Sequence, residues 1–144
     1  MSGMVVGYDR SACSSAALRW SLVEAAEHGR AVRVISVFEP RRVASMWTAS
    51  VVLPPDEAEL ARVRVETEEA VGKVAADLGT TQPVEVSVKV GHPGPTLVAA
   101  AADADCLVVG SHGYGTVERL LLGSVSTFVA THARCPVVVI PSNR

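Results

Sequence analysis

The chain has 144 residues and nearly balanced charge, with 13 Lys and Arg against 15 Asp and Glu. This length predicts one domain over residues 1–144, which buries about two-thirds of the surface that its unfolded chain exposes. The charge balance argues against a broad basic surface for nucleic acid. Widely spaced cysteines, no long apolar stretch and no basic leader predict a cytoplasmic protein without membrane contact.

Short β-branched runs bounded by Gly, Pro or polar residues predict five strands. They lie at 4–6, 32–37, 84–90, 107–109 and 137–140. Amphipathic stripes between the strands predict helices that end at Gly29 and Gly79, where a left-handed residue suits a helix C-terminus. The stripe before Gly79 steps by three and four through Leu60, Val63, Thr67, Val71, Val74 and Leu78. Two further helices are predicted over 95–102 and 124–132, the last with Ser124 as its N-cap.

Alternating strands and helices predict a doubly wound α/β fold, with a parallel sheet covered by helices on both faces. Such sheets bind ligands beyond the carboxyl ends of their strands, where the strand order reverses. The long segment from Phe38 to Leu53 shows no regular pattern. It is interpreted either as a lid over the site or as a mobile connection.

The strongest functional signal is Gly110-Ser111-His112-Gly113 after a buried strand, followed by Gly123-Ser124 at the start of a predicted helix. Glycines remove the side-chain barrier to close contact, and a helix N-terminus offers unpaired N–H donors to an anion. The pattern therefore predicts a phosphate-binding nucleotide site. It is neither a Walker A motif nor the dinucleotide fingerprint. The alternative that these glycines serve turns alone stays open.

A second candidate segment, residues 7–11, follows the first predicted strand. Asp9 lies where a carboxylate can accept hydrogen bonds from ribose hydroxyls or help hold a metal on phosphates, but Asp also favours turns for local reasons. His112 is interpreted either as a phosphate donor or as a structural residue. The sequence contains no nucleophile elbow with a partner base and no metal-ligand cluster, so it assigns no catalytic residue and no protein metal ligand.

On these motifs the chain resembles the universal stress protein family over nearly its whole length. Residues 7–11 match the family's G-x-D-x-S turn, and residues 110–124 match the G-x-x-G-x9-G-[ST] motif of its ATP-binding branch. The segments 120–126 and 135–139 resemble the family's C-terminal signature.

The resemblance implies a sheet with strand order 3-2-1-4-5 and an adenine nucleotide, ATP with Mg or Mn, at the point of reversal. It implies a homodimer through the C-terminal strand 136–141. The residues that the resemblance and the glycine motif place around the nucleotide are Gly7, Tyr8, Asp9, Val37, Gly110, Ser111, His112, Gly113, Gly123, Ser124, Val125 and Ser126.

The expected function is that of an ATP-binding stress-response or signalling module that is non-catalytic or hydrolyses ATP slowly. Three alternatives remain at this point. The first is a binder of another adenine nucleotide such as cyclic AMP. The second is an enzyme that transfers adenylyl or phosphoryl groups, and the third is a non-nucleotide interaction protein of the same fold.

Overall fold

A central parallel sheet organises the chain in the computed structural model, which describes residues 3–43, 47, 51–113 and 122–142. The strands of this sheet are β1 (Met4–Gly7), β2 (Val32–Phe38), β5 (Val84–Val90), β6 (Cys106–Gly110) and β7 (Val137–Ile140). Two short strands outside it are β3 (Arg41–Val43) and β4 (Val51–Leu53). The helices are α1 (Ala12–His28), α2 (Glu57–Leu78), α3 (Pro93–Ala100) and α4 (Ser124–His132).

The sheet order is β5-β2-β1-β6-β7, with every neighbouring pair parallel. Counted among these five strands alone, the order is 3-2-1-4-5, as the resemblance implied. The chain builds outward from β1 to β5 and then returns to the other side of β1 with β6. The carboxyl ends of β1 and β6 therefore form the point of reversal, where doubly wound sheets leave a crevice.

Both faces of the sheet are covered, which confirms the predicted doubly wound α/β class. Successive strand residues point to opposite faces, and Leu107 and Val108 accordingly enter two different cores. The core that contains Val108 is completed by buried α1 residues such as Leu18 and Leu22. The core that contains Leu107 is completed by Leu97 of α3 and Val129 of α4.

The helix ends that depend on local capping follow the sequence prediction. Gly29 ends α1 with φ of +64° and Gly79 ends α2 with φ of +65°, both in the left-handed region. Two other predictions are wrong. The N-cap of α4 is Gly123, and Ser124 is the first helical residue. Helix α3 begins at Pro93, two residues before the predicted start, because proline's fixed φ and missing N–H suit a first helical turn.

The segment between β2 and α2 is partly regular, contrary to the prediction. Strands β3 and β4 pair antiparallel at its two ends, with Arg41 opposite Leu53. Arg41 also forms an ion pair with Glu59 of α2, at 3.1 Å, which ties this hairpin to the helix. The lid interpretation depends on residues 44–46 and 48–50, which lie outside the described residues. Within the described ranges, no helix is both long and apolar enough to cross a membrane.

Candidate functional site

A cleft of about 340 Å³ opens at the carboxyl ends of β1 and β6. This volume lies in the range of small-molecule sites. The structure brings all the sequence-predicted positions to it, namely Gly7, Tyr8, Asp9, Val37, Gly110, Ser111, His112, Gly113, Gly123, Ser124, Val125 and Ser126. The motif's spacer, residues 114–121, lies outside the described residues.

Sequence reasoning missed several residues that also line the cleft. They are Ser14, Ile35, Glu39, Pro93, Leu97 and Val109, with Ser11 noted only as part of the first motif. Ile35 and Val109 give an apolar wall. Val109 directly precedes Gly110 at the end of β6, and Ile35 lies in the middle of β2, opposite Gly7. Leu97 reaches the cleft from α3, where its helical spacing marks it only as a core residue. No local pattern distinguishes a core leucine from one that also faces a ligand.

The two glycine segments pack backbone against backbone. The Gly123 N–H donates to the Ser111 carbonyl at 2.7 Å. A Cβ placed on Gly123 would lie 3.2 Å from the same carbonyl oxygen and 3.4 Å from the His112 Cα. A side chain at this position would therefore press on the loop after β6 and would require it to shift by a few tenths of an ångström.

Helix α4 begins at the cleft without a side-chain N-cap. The Ser126 hydroxyl, which is 1% exposed, lies 2.9 Å from the Ser111 carbonyl and 3.0 Å from the Gly123 carbonyl and donates its proton to them. The first backbone N–H groups of a helix have no intrahelical acceptor. The amides of Ser124 and Val125 therefore give the cleft donors and the positive end of a helix dipole.

The loop glycines do not have positive φ, since the positive-φ glycines of the described residues are Gly29, Gly79 and Gly91. A Cβ on Gly110 would lie 2.6 Å from the Cys13 carbonyl carbon of α1. A Cβ on Gly113 would lie 2.8 Å from Asp9 Oδ2. Gly110 thus packs against a helix, whereas Gly113 faces a carboxylate of the cleft.

Asp9 supports a turn and also lines the cleft. Its Oδ1 accepts the Ser11 N–H at 2.9 Å, and this bond supports the turn into α1. Its Oδ2 faces the glycine loop, since a Cβ placed on Gly113 would lie 2.8 Å from it. One carboxylate oxygen is used locally and the other faces the cleft.

The described lining of the cleft carries acidic groups and no Lys or Arg. Its carboxylates are Asp9 and Glu39. Arg10 turns away from it and forms an ion pair with Glu66 of α2 at 2.7 Å. Among these described residues, the groups that could hold an anionic ligand are mainly backbone N–H donors.

A small polar cluster supports the glycine loop from the side of α1. His112 Nδ1 lies 3.0 Å from the Ser111 hydroxyl, which lies 3.5 Å from the Cys13 Sγ. Burial on its own would raise the pKa of the Cys13 thiol, but hydrogen bonds from Ser111 and His112 outweigh it and hold that pKa below its ordinary value. Burial raises the pKa of the other two thiols, Cys106 and Cys135. Cys13 is thus the thiol that ionises most readily among the three.

The described side chains of this site offer two carboxylates and no full set of metal ligands. Over the described part of the chain, no three His, Cys, Asp or Glu side chains converge in a way that could hold an ion. The two carboxylates of the described lining, Asp9 and Glu39, would need further ligands to complete the coordination of a cation.

Comparison with known proteins assigns relatives to this chain. The model of the universal stress protein family matches residues 2–141. A universal stress protein of Mycolicibacterium smegmatis (strain ATCC 700084 / mc(2)155) is 36% identical over 141 residues, which cover 96% of this chain and 47% of that protein. One from Mycobacterium tuberculosis (strain ATCC 25618 / H37Rv) is 33% identical over 143 residues, covering 99% and 49%. The chain spans about half the length of these curated relatives.

Solved structures share the fold. A universal stress protein in complex with cAMP has a TM-score of 0.68 and 26% identity, covering 99% of this chain and 98% of that chain. A universal stress protein from Archaeoglobus fulgidus in complex with dAMP has a TM-score of 0.66 and 21% identity, covering 97% and 98%. The second likeness is one of fold alone.

Proposed function

The chain belongs to the universal stress protein family, and from that premise we propose that its cleft binds an adenine nucleotide. The observation that carries the proposal is the meeting of three features at one crevice. They are the glycine loop after β6, the start of α4 without a side-chain cap, and the Asp9 carboxylate after β1. The structural relative bound to cAMP supports the same ligand class.

The cleft has an apolar region and a polar region, which match the two ends of a nucleotide. Ile35, Val37 and Leu97 line the apolar region, where a base would remove its faces from water. The amides at the start of α4 and the loop from Gly110 to Gly113 line the polar region, where phosphate oxygens would accept backbone N–H bonds. Asp9 lies beside them, where its free oxygen would accept from ribose hydroxyls.

Within this proposal the ligand is ATP with Mg²⁺ or Mn²⁺. A triphosphate brings several negative charges into a cleft whose described lining carries Asp9 and Glu39 and no Lys or Arg. A divalent cation on the phosphates would lower this repulsion and could take Asp9 as a further oxygen ligand. We propose a cytoplasmic stress-response or signalling role in which ATP is retained or hydrolysed slowly.

A second candidate is cAMP. The acidic lining of the cleft favours a ligand with one phosphate charge over a triphosphate without a metal, and cAMP is the ligand of the structural relative named above. The two candidates share the adenosine and differ in charge and in their need for a cation.

Isothermal calorimetry with ATP, AMP and cAMP, each with and without Mg²⁺, tests the proposal. We expect ATP to bind in the micromolar range with Mg²⁺ and at least about tenfold more weakly in EDTA, which is about 1.4 kcal/mol. Binding of AMP and cAMP should change little on removal of Mg²⁺. Chromatography of the nucleotide recovered afterwards reports hydrolysis. Absence of saturable heat for all three nucleotides at millimolar concentration would contradict nucleotide binding.

We also propose that two copies of the chain pair through β7. This strand lies at an edge of the described five-stranded sheet. The carbonyl of Pro136, just before β7, accepts the Leu107 N–H of β6. The carbonyl of Ile140 accepts the N–H of Ser111, which follows β6. The alternation of a parallel ladder then leaves the amides of Val137 and Val139 on the open edge. An apolar edge with free amides favours antiparallel pairing with a second copy about a two-fold axis.

Val139→Pro tests this pairing without removing a bond to β6. Proline removes one outward N–H and is tolerated on an edge strand. We expect the wild type to sediment as a dimer at tens of micromolar and Val139→Pro as a monomer. Val139→Ala, which loses the side chain but keeps the N–H, should remain a dimer. A monomeric wild type would show that β7 is not the interface.

A further inference from the structure

The turn that carries Asp9 is held from behind by a chain of buried hydroxyl groups. The Ser36 hydroxyl on β2 lies 3.0 Å from the Tyr8 carbonyl oxygen, to which it donates. The same hydroxyl lies 2.8 Å from the Thr67 hydroxyl on α2. Thr67 is 1% exposed and Ser36 is 4% exposed. Thr67 of α2 is thereby linked through Ser36 of β2 to Tyr8, which lines the cleft, although Thr67 itself does not line it.

The protons of these hydroxyls can be assigned. Thr67 Oγ1 lies 2.7 Å from the Val63 carbonyl as well as 2.8 Å from Ser36. The Thr67 and Ser36 hydroxyls carry one proton each, but they make three contacts. These are with the Val63 carbonyl, with each other and with the Tyr8 carbonyl. The Val63 carbonyl also accepts the backbone N–H of Thr67 inside α2, four residues on, so it stays paired without the hydroxyl. The arrangement that leaves every acceptor paired runs from Thr67 to Ser36 and from Ser36 to the Tyr8 carbonyl.

A second link between α2 and the same turn is weaker. Arg10, which has φ of +70°, forms its ion pair with Glu66, but the Arg10 side chain is 59% exposed. Exposed ion pairs contribute little because water screens them. Hydrogen bonds between buried hydroxyls are not screened by water, and a buried polar group that loses its partner destabilises the structure around it. The buried link is therefore the one expected to fix the turn.

We infer that Thr67 is a positioning residue of the cleft, which acts through Ser36 to hold the Tyr8 carbonyl and thus the orientation of Asp9. This inference rests on the proposed nucleotide-binding function. Loss of the Thr67 hydroxyl would remove the donor to the buried Ser36 oxygen. Nothing on α2 would then hold the Ser36 hydroxyl in the orientation that donates to the Tyr8 carbonyl, and the turn would loosen. The expected consequence is a lower affinity for the nucleotide, although Thr67 itself makes no direct contact with the cleft.

Two substitutions at Thr67 separate the hydroxyl from the packing. Thr67→Val keeps the shape and removes the hydroxyl, whereas Thr67→Ser keeps the hydroxyl and removes a methyl group. We expect Thr67→Val to raise the dissociation constants of ATP with Mg²⁺ and of cAMP about 3- to 10-fold. Thr67→Ser should stay within about twofold of the wild type. Thr131→Val is the matched control, because exposed Thr131 makes the same hydroxyl contact to the carbonyl four residues earlier.

Calorimetry with both nucleotides, accompanied by thermal melting, decides the matter. If Thr67→Ser binds nucleotide as weakly as Thr67→Val, packing and not the hydroxyl holds the turn. If Thr67→Val binds nucleotide with wild-type affinity, the hydroxyl contacts from Thr67 through Ser36 to Tyr8 do not affect binding. Either result overturns the inference. If Thr67→Val does not fold, Ser36→Ala takes its place with the same expected weakening, and wild-type affinity there is equally contrary. A wild type that binds neither nucleotide overturns the proposed function itself, a result distinct from these.

Discussion

Gly123→Val is expected to weaken nucleotide binding about 100-fold, or about 2.8 kcal/mol, while the fold is retained. Gly123 has φ of −67°, which valine adopts without strain. Its Cβ, however, would lie 3.2 Å from the Ser111 carbonyl oxygen. The added side chain would push the glycine loop away from the start of α4, and these two segments are the proposed phosphate donors. Loss of two hydrogen bonds to a charged group accounts for this magnitude.

Gly72→Val is the matched control for this variant. Gly72 lies in α2, and a Cβ placed on it meets nothing within 4 Å. Both variants add the same atoms, so a difference in calorimetric affinity isolates the contact with the loop. Circular dichroism should show native secondary structure in both variants. Unchanged affinity in a folded Gly123→Val protein would remove the start of α4 from the phosphate site.

Asp9→Ala is expected to weaken nucleotide binding by about 1 to 3 kcal/mol, roughly 5- to 150-fold. The Asp9 oxygen that faces Gly113 is the carboxylate oxygen proposed to accept from ribose or to meet the cation on the phosphates. The sign of the change in affinity is decisive because the described lining of the cleft is acidic. If Asp9 contacted neither ribose nor cation, its removal would lower the repulsion of phosphate, and binding would become tighter.

Asp9→Asn separates the ligand contact from the turn. The asparagine side-chain oxygen can still accept the Ser11 N–H, which Asp9 Oδ1 accepts at 2.9 Å. The turn into α1 is therefore kept while the charge is lost. We expect Asp9→Asn to bind Mg²⁺-ATP more weakly than the wild type, although its melting temperature is unchanged. Equal affinity of Asp9→Asn and wild type, with weak binding only in Asp9→Ala, would restrict Asp9 to the turn.

The C-terminal ends of α1 and α2 could be predicted from the sequence because they depend on local interactions. Gly29 and Gly79 end their helices because the left-handed conformation at a helix C-terminus depends on neighbouring residues alone. The start of α4 differs from the prediction: its N-cap is Gly123, and the Ser126 hydroxyl in its first turn donates to the Ser111 and Gly123 carbonyls. That hydroxyl contacts Ser111, a residue distant in the chain.

The predicted site residues came from glycine spacing and from a family resemblance, and the structure places them on one cleft. The spacing alone did not give the reason for each glycine. Gly110 is required by its contact with Cys13 of α1, and Gly113 faces Asp9. Positive φ, the usual reason for glycine in a loop, applies to neither.

The sequence by itself determined the α/β class, the ends of α1 and α2, and the motifs that meet at the cleft. These features depend on hydrophobic periodicity and on interactions between near neighbours in the chain. Thr67 showed only as a polar residue in an apolar stripe. The tertiary structure alone decided that its hydroxyl meets Ser36 and that Ser36 meets Tyr8, because residues 31 and 28 positions apart in sequence are brought together only by the register of β1 and β2 and the packing of α2.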